Sequence, residues 1–294
     1  MTMSSPMRRA GAEKAGHAVN RRALLLGAAA LGVSVLIPAC GTEKKPLMGP
    51  PPVPPPTSPT PLTEAVTVQK MRSAARNRDV NLVIIAPDGV SRVGLPVCVA
   101  LHGRGADART FLDLGVQNAL NQVVAAGLPG FAVAAVDGDN YWVDVGKGDD
   151  PQRMLTDELP GWLAQRQLRP PSAMFGISMG GFGALRYARD HKDLKAVAVA
   201  SAALFVSWPD AKSRKVFADR AQWEANEPLL HAGELSASST GVWCGTSDPF
   251  AGADRKLIKA LDPAVAKMSP GEHNEDYWRG ILPEAMKFVG ERIG

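Results

Sequence analysis

The stretch Met174-Phe175-Gly176-Ile177-Ser178-Met179-Gly180-Gly181-Phe182-Gly183 determines how the rest of this chain is interpreted. It contains Gly-x-Ser-x-Gly, a pattern in which a strand ends at a strained turn that carries the serine and a helix follows. Gly176 and Gly180 flank Ser178, where a Cβ would clash across so tight a turn. Ser172–Ile177 is short and apolar like a buried strand, and Met179–Ala188 has helical spacing. We therefore predict that Ser178 is a nucleophile; the alternative is a chance match in a glycine-rich chain.

Strand-like and helical patterns alternate outward from this stretch, from about Leu62 to the end of the chain. Short apolar runs bounded by turn residues predict strands, and longer runs with helical spacing predict helices. The predicted strands are Ala65–Met71, Val80–Ile85, Pro96–Leu101, Phe131–Val136, Ser172–Ile177, Leu194–Ser201, Gly241–Cys244 and Ala264–Met268, and the predicted helices are Ala106–Ala126, Met154–Gln167, Met179–Ala188, Asp254–Leu261 and Glu275–Ile293. This repeated β-α order predicts the α/β class, with a mostly parallel sheet and helices on both faces.

A serine nucleophile needs a base, because its hydroxyl is weakly reactive without a neighbouring group that a third residue orients. In folds that place a serine on such a turn, the partners follow it along the chain in the order acid, then histidine. His273 lies in a loop between the last predicted strand and the last predicted helix, so we predict it as the base ahead of His231. His102 precedes the serine, and His191 ends the serine's helix beside charged residues.

The acid is predicted just beyond the strand that ends at Cys244. Asp248 lies there in a turn-like run at the carboxyl edge of the sheet, where ligands bind in open α/β folds. Glu234 and Asp254 are weaker alternatives. Another role for Asp248 is to cap the helix that follows.

The loop after the third predicted strand has the sequence Leu101-His102-Gly103-Arg104-Gly105. A loop in this position contributes the second N–H of an oxyanion hole, while the residue after the serine contributes the first. We predict that the backbone N–H groups of Met179 and Arg104 are the two donors. His102 is predicted to have a structural role rather than a catalytic one.

The composition excludes some function classes. Residues 1–40 carry five of the 33 basic and one of the 29 acidic residues, which leaves 28 of each in residues 41–294. A chain without a basic excess lacks the footprint of nucleic-acid binding. The three cysteines, Cys40, Cys98 and Cys244, have no metal-type spacing, so we expect neither a metal nor a cofactor. Cys98 and Cys244 lie in apolar runs and are interpreted as small buried hydrophobic residues; a disulfide between them is not indicated.

Residues 1–40 have the pattern of an export signal. After basic residues, Ala23–Ile37 is an uncharged run of 15 residues. As a helix it spans about 22 Å, which is short for a hydrocarbon core about 30 Å thick and typical of a signal peptide. Asn20–Leu25 is similar to a twin-arginine signal, with a general secretory signal as the alternative. Ile37-Pro38-Ala39-Cys40 is similar to a lipobox and predicts lipidation at Cys40, with ordinary cleavage as the alternative.

A proline-rich segment separates this signal from the rest of the chain. Residues 46–61 hold nine prolines in sixteen positions, which predicts an extended polyproline spacer about 50 Å long. We therefore predict three parts: an export signal in 1–40, a linker in 41–62 and one folded domain in 63–294. The expected location is the outer face of the cell membrane as a lipoprotein, or secretion.

Several motifs of the domain, taken together, resemble one family of α/β-hydrolases. The bacterial esterase family that includes esterase D-like enzymes, feruloyl and acetylxylan esterases and secreted mycolyltransferases of actinobacteria has similar segments over about residues 64–290. The matching segments are 101–105, 157–163, 176–181, 244–250 and 270–274 with Tyr277-Trp278. The serine turn at 176–181, or elbow, and the histidine loop at 270–274 together are the most specific of these.

This resemblance implies an α/β-hydrolase fold with Ser178, Asp248 and His273 as a catalytic triad. It also implies that the loop after the fourth strand lines the site, with Tyr141 and Trp142 as substrate contacts. Glu272 stands where many relatives have a second glycine, and the loop Asp137–Asp150 carries several acids where the mycolyltransferases are largely neutral. We therefore expect an exported serine esterase that uses water as acyl acceptor. The alternatives are an acyltransferase with a sugar acceptor and a non-catalytic cell-envelope binding protein.

Overall fold

A computed structural model describes residues 64–146 and 148–294, in which eight strands form one sheet. The strands are β1 Val66–Ser73, β2 Arg78–Ile85, β3 Val97–Leu101, β4 Ala132–Val136, β5 Pro171–Ile177, β6 Ala196–Ala200, β7 Thr240–Gly245 and β8 Val265–Ser269. Their order across the sheet is β1-β2-β4-β3-β5-β6-β7-β8. Strand β2 pairs antiparallel with β1 and β4, and all the other neighbours are parallel. The predicted mostly parallel sheet is thus present.

Helices cover both faces of this sheet. They are α1 Thr110–Asp113, α2 Val116–Ala125, α3 Pro151–Arg153, α4 Leu159–Ala164, α5 Met179–Asp190, α6 Trp208–Ser213, α7 Arg220–Asn226, α8 Ala251–Leu261 and α9 Glu275–Ile293. Short 3-10 turns lie at Asn140–Trp142, Pro228–Glu234 and Ala237–Ser239, and a π-helical turn at Met154–Glu158 joins α3 to α4.

Alternate residues of the strands feed two separate cores, because successive side chains of a strand point to opposite faces. On one face, Val99 and Leu101 pack with α4, α5 and α8. On the other face, Cys98 and Ala100 pack with α2 and α9. Both cysteines of the described chain, Cys98 and Cys244, are buried free thiols, as the sequence predicts.

Two predicted helices differ from the observed ones for local backbone reasons. The predicted helix Ala106–Ala126 is two helices, because Gly115 has φ 83° and begins α2 with a left-handed residue. The predicted helix Met154–Gln167 starts earlier and changes its winding at the π turn. Pro160 fits there because it lies in the first turn of α4, where its missing N–H has no helical partner to lose.

The segment between β6 and β7 adds two helices that the sequence does not predict. Ser207 caps α6 by accepting from the Asp210 N–H, and Asp219 caps α7 by accepting from the Gln222 N–H. The export signal, the linker and Cys40 lie outside the described residues. Within 64–146 and 148–294, no helix combines the length and the apolar character that a membrane crossing requires.

Candidate active site

The carboxyl ends of the parallel strands converge at one edge of the sheet. Ser178 follows β5, Asp248 lies three residues beyond the end of β7, and His273 lies four residues beyond the end of β8. The loop that begins at His102 follows β3, and the loop that contains Tyr141 follows β4. Because the strands β4-β3-β5-β6-β7-β8 are neighbours in this order, these loops meet above the centre of the sheet.

Ser178 sits on a strained turn, as the glycines around it predict. Its backbone has φ 56° and ψ −117°, a conformation that non-glycine residues rarely adopt. A Cβ at Gly176 would lie 2.2 Å from the Gly180 oxygen, and a Cβ at Gly180 would lie 1.8 Å from the Leu101 oxygen. The turn can therefore form only with glycine at both positions, and it presents the serine at the end of the strand.

Ser178, His273 and Asp248 form one hydrogen-bonded chain. The His273 Nε2 lies 2.8 Å from the Ser178 Oγ, and the His273 Nδ1 lies 2.8 Å from the Asp248 Oδ2. The Asp248 side chain is fully buried, whereas the His273 side chain is 23% exposed. These three residues were predicted from the sequence and come from three separate loops. Their hydrogen bonds give them the geometry of a nucleophile, a base and an orienting acid.

The surroundings of Asp248 keep it ionised. Burial alone would raise the pKa of Asp248, but hydrogen bonds from His273, from the Phe250 N–H and from Ser201 outweigh it, so the pKa lies below its usual value. The Phe250 N–H donates to Oδ1 over 2.7 Å, which leaves Oδ2 for His273. Ser201, a buried residue with φ 52°, also accepts from the Trp278 Nε1. Ser201 was not predicted, although its place directly after β6 is a signal that could have found it.

Both predicted oxyanion donors are at the site. Gly103 lies against the nucleophile, since a Cβ there would be 3.4 Å from the Ser178 Cβ, and Gly103 and Arg104 line the same cavity as Ser178. The N–H groups of Met179 and Arg104 have no hydrogen-bond acceptor among the residues that the structure describes. Two unpaired N–H groups beside a serine can stabilise an oxyanion.

His102 supports this loop and has no contact with the serine. Its Nδ1 lies 2.8 Å from the Gly103 oxygen, and its Nε2 accepts from the Gly138 N–H over 2.9 Å. Burial lowers the pKa of His102, so the ring is neutral and its single N–H is on Nδ1. The bonds join the loops after β3 and β4, which agrees with the structural role predicted from the sequence.

The two predicted substrate contacts have different surroundings. Tyr141 lines the cavity together with Ser178 and His273. Trp142 does not, and the prediction that it contacts substrate is wrong: its side chain is fully buried and its Nε1 donates to the His102 oxygen over 3.3 Å. The indole fills space above Gly183, where a Cβ would lie 2.5 Å from the Trp142 Cβ. The resemblance implied that both members of this aromatic pair contact substrate, but the 3-10 turn directs their side chains differently.

The acids of the loop Asp137–Asp150 do not line the serine's cavity, so they do not support the expectation that water is the acyl acceptor. They hold the loop in place instead. Asp137 accepts from the backbone N–H of Asn81 and Ala108, Asp139 from Asn140, Asp144 from Gly146 and Asp150 from Arg153, while Asp149 pairs with Arg76 and Arg78. Carboxylates that accept local N–H groups stabilise turns, which explains their number in this loop.

The alternative histidine and acids lie elsewhere. His231 and Glu234 pair with each other over 2.7 Å, which satisfies both away from Ser178. Asp254 is fully buried on α8, and neither of its oxygens is in hydrogen-bonding geometry with a described residue. The cavity beside Ser178 has a volume of about 340 Å³ and is also lined by Trp278, Phe250 and Arg214. Arg214 lies in the segment for which the sequence predicted no element, so no signal pointed to it.

Comparison with known protein families identifies one match over most of the domain. The family described as Putative esterase matches residues 73–289. Among curated proteins, the chain is similar to the diacylglycerol acyltransferase/mycolyltransferase Ag85A of Mycobacterium tuberculosis, with 34% identity over 119 residues. That alignment covers 33% of this chain, and the chain spans about a third of the relative's length (35%). The similarity to the relative is thus local.

Solved structures share the fold over the whole domain. A ferulic acid esterase superposes with a TM-score of 0.63 and 20% identity, covering 78% of this chain and 98% of that one. An S-formylglutathione hydrolase from Agrobacterium tumefaciens superposes with a TM-score of 0.65 and 17% identity, covering 77% of this chain and 95% of that one. The predicted α/β-hydrolase fold is confirmed by these neighbours.

Proposed function

The chain belongs to the Putative esterase family, and we propose that it is an exported serine esterase that hydrolyses a carboxylic ester through an acyl-enzyme on Ser178. The observation that carries the proposal is the hydrogen-bonded chain from Ser178 through His273 to Asp248. The two unpaired N–H groups beside Ser178 supply the remaining requirement for acyl transfer.

The first half of the proposed reaction forms the acyl-enzyme. The Ser178 Oγ attacks the ester carbonyl carbon while the His273 Nε2 takes the hydroxyl proton. The negative charge that develops on the carbonyl oxygen is stabilised by the N–H groups of Met179 and Arg104. The ionised Asp248 stabilises the imidazolium and holds its Nδ1–H. The intermediate then loses the alcohol, which takes the proton from His273, and the acyl group stays on Ser178.

The second half releases the acid. A water molecule gives a proton to the His273 Nε2 and attacks the acyl carbon, and the Ser178 Oγ leaves with that proton. The partial exposure of the His273 side chain supports water as the acceptor, because solvent reaches the base directly.

Transfer of the acyl group to a sugar is the second candidate. Local similarity to a diacylglycerol acyltransferase/mycolyltransferase favours it, and the acids of the loop Asp137–Asp150, which do not line the cavity of Ser178, no longer argue against it. A short acyl ester with excess trehalose separates the two reactions. Free acid as the main product supports hydrolysis, and acyl-trehalose as the main product overturns it in favour of transfer.

Labelling by a fluorophosphonate probe tests the nucleophile and distinguishes an enzyme from a binding protein. We expect the wild type to be labelled and to hydrolyse short acyl esters. Ser178→Ala should lose both properties while melting like the wild type, and Ser238→Ala, at an exposed serine outside the cavity, should retain them. A wild type that is neither labelled nor active on any ester would favour the non-catalytic binding protein.

We further propose that the protein is held at the membrane by a lipid on Cys40, on the basis of the lipobox-like sequence before a proline-rich spacer. Two or more acyl chains anchor firmly, since each buried CH₂ contributes about 0.8 kcal/mol. Mass spectrometry of the native N-terminus tests this, with Cys40→Ser as the soluble control. A mature N-terminus beyond residue 40 without lipid would contradict the anchor.

A further inference from the structure

Arg214 lies where three cavities meet. The first, of about 340 Å³, contains Ser178 and His273. The second, of about 370 Å³, is bordered by Phe205 and Phe250. The third, of about 750 Å³, is polar and extends along Arg104. Arg214 lines all three, so it borders the cavity of the serine and both neighbouring cavities.

The guanidinium of Arg214 is held in place but has no counter-ion. Its Cζ lies 5.7 Å from the ring centre of Phe205 and 5.4 Å from that of Phe250, at cation–π distance from both rings. Its Nε is buried without a hydrogen-bond partner among the described residues. Within the same residues it forms no ion pair. Arg214 is half-buried and reaches the cavities, so its remaining N–H donors can bind an anion there.

Arg104 adds a second cation on the same side of the serine. Its exposed side chain also has no ion pair within the part of the chain that the structure describes. Both guanidinium groups act on the Tyr141 hydroxyl: burial raises the pKa of Tyr141, and the charges of Arg214 and Arg104 lower it in part. Arg104 and Arg214 also line two of the three cavities together, one of which contains Ser178.

The acids that border these cavities have other partners. Glu275 accepts from Arg279 over 3.3 Å, one turn along α9. Asp210 accepts from the Ser207 hydroxyl over 2.6 Å, and Asp139 accepts from the Asn140 N–H over 2.8 Å. No carboxylate of the described lining is therefore bound to either arginine.

We propose that this site takes esters that also carry an anionic group, a carboxylate or a phosphate, and that Arg214 binds this group together with Arg104. A planar guanidinium held at cation–π distance from two rings is suited to two parallel hydrogen bonds to such an anion. The inference rests on the proposed esterase function, and it adds the substrate class. The anion can lie on the alcohol side or on the acyl side of the ester, and the two are separated by experiment.

Matched ester pairs test the proposal. On the alcohol side, para-acetoxybenzoate and para-acetoxyphenyl phosphate are compared with the neutral methyl para-acetoxybenzoate. On the acyl side, the para-nitrophenyl hemiester of succinic acid is compared with para-nitrophenyl pentanoate. The measured quantity is the ratio of kcat/KM for the anionic ester to kcat/KM for its neutral partner. At least one anionic ester should lose about tenfold or more in this ratio in Arg214→Gln, the size of one charge-assisted hydrogen bond.

Two variants control for indirect effects. Lys212→Gln removes the same charge from α6 at an exposed position outside the cavities, so it reports long-range steering alone and should keep the wild-type ratio. Arg214→Lys keeps the charge but loses the planar fork, so its ratio should lie between those of the wild type and Arg214→Gln. The proposal is overturned if Arg214→Gln changes no ratio, or changes it only as much as Lys212→Gln does.

A direct binding measurement distinguishes a failure of the anion site from a failure of the proposed esterase function. Calorimetry of Ser178→Ala with each of the three anionic esters measures the anion site without turnover. Binding that is lost when Arg214→Gln is added supports the anion site even if the wild type hydrolyses no ester, in which case only the function fails. Hydrolysis of neutral esters without any such binding overturns the anion site and leaves the function standing.

Discussion

Asp248 and Asp254 lie six residues apart, yet their environments shift their pKa values in opposite directions. Asp248 accepts from His273 and from the Phe250 N–H, so its pKa lies below the usual value. Burial raises the pKa of Asp254 well above its usual value, which the nearby Cys244 thiol and Ala202 N–H offset only in part. An acid that orients an imidazolium must be ionised, so only Asp248 is suited to that role.

Exchanging each carboxylate for an amide tests this assignment. Asp248→Asn should lower kcat by about 10⁴-fold, because an amide N–H in place of Oδ2 would face the His273 Nδ1 and favour the wrong tautomer. Asp254→Asn should change kcat little, since an amide resembles the neutral acid. Kinetics and melting curves of both variants decide the matter. The assignment is wrong if Asp248→Asn keeps near-full turnover, or if its loss follows a matching loss of stability.

We propose that His102 positions the Arg104 N–H, a proposed oxyanion donor, through the geometry of one peptide unit. The Gly103 oxygen, which bonds to the His102 Nδ1, belongs to the same planar peptide as the Arg104 N–H. Fixing that oxygen therefore fixes the direction in which the N–H points. Because one oxyanion donor is worth about 10²–10³ in kcat, His102→Ala should lower kcat by up to about 10²-fold.

The readouts for His102 separate positioning from general damage. The KM should change much less than kcat, because the donor acts mainly in the transition state. His102→Asn places an amide N–H near the position of Nδ1 and should recover part of the lost kcat. If the Ala and Asn variants lose activity equally and both melt early, His102 acts only on stability.

Residues that face the serine were partly predictable from chain order, but side-chain direction was not. Ser178, Asp248 and His273 follow β5, β7 and β8 at the edge where loops of parallel strands meet. The direction of Trp142 depends on three successive residues with positive φ, from Asn140 to Trp142. No sequence pattern signals such a turn, so the burial of the Trp142 side chain could not be predicted from the sequence.

At the scale of elements, the central strands were predictable because they are short apolar runs that are buried on both faces. The described β3, β4 and β6 contain only buried residues. The segment of α6 and α7 was not predictable, because its helices have only six and seven residues. Helices so short lack the repeated apolar spacing on which prediction depends. The same segment supplies Arg214, which therefore became visible only in the structure.

The elbow between β5 and α5 leaves no space for a side chain at Gly180. A Cβ at Gly180 would lie 1.8 Å from the Leu101 oxygen of β3, and a backbone atom cannot give way cheaply. Gly180→Ala should therefore fail to give soluble folded protein. Gly161→Ala is the matched control, since a Cβ on this residue of α4 meets nothing within 4 Å. Alanine favours a helix by about 1 kcal/mol over glycine, so this variant should melt at or above the wild type.

This prediction is checked by measuring the soluble yield and melting temperature of Gly180→Ala and Gly161→Ala side by side. A Gly180→Ala protein that is soluble and melts like the wild type would show that the turn can relax. The described approach of α5 to β3 would then be wrong, and with it the explanation of why glycine follows the serine by two residues.

At the scale of the whole molecule, stability depends on pH through groups that are buried without a partner. Asp254 lies on α8 beside the core that also contains Leu257, and it is fully buried. Its pKa is raised in the folded state above the unfolded value near 3.8. The folded protein therefore holds this proton more tightly, so the favourable contribution is complete below pH 3.8 and is lost as the pH rises towards the folded pKa.

Asp254→Asn removes this titration and should raise the melting temperature, more at pH 7.5 than at pH 4.5, because the raised pKa of Asp254 costs more stability as the pH rises. The expected gain at the higher pH is a few degrees, because 1 kcal/mol corresponds to about 2–4 °C for a domain of this size. Asp193→Asn removes the same charge at an exposed position and should shift the melting temperature little at either pH. Scanning calorimetry of the three proteins at both pH values measures the difference. A gain that is equal at the two pH values, or a loss at pH 7.5, would mean that Asp254 is ionised in the folded protein and has a partner that stabilises its charge.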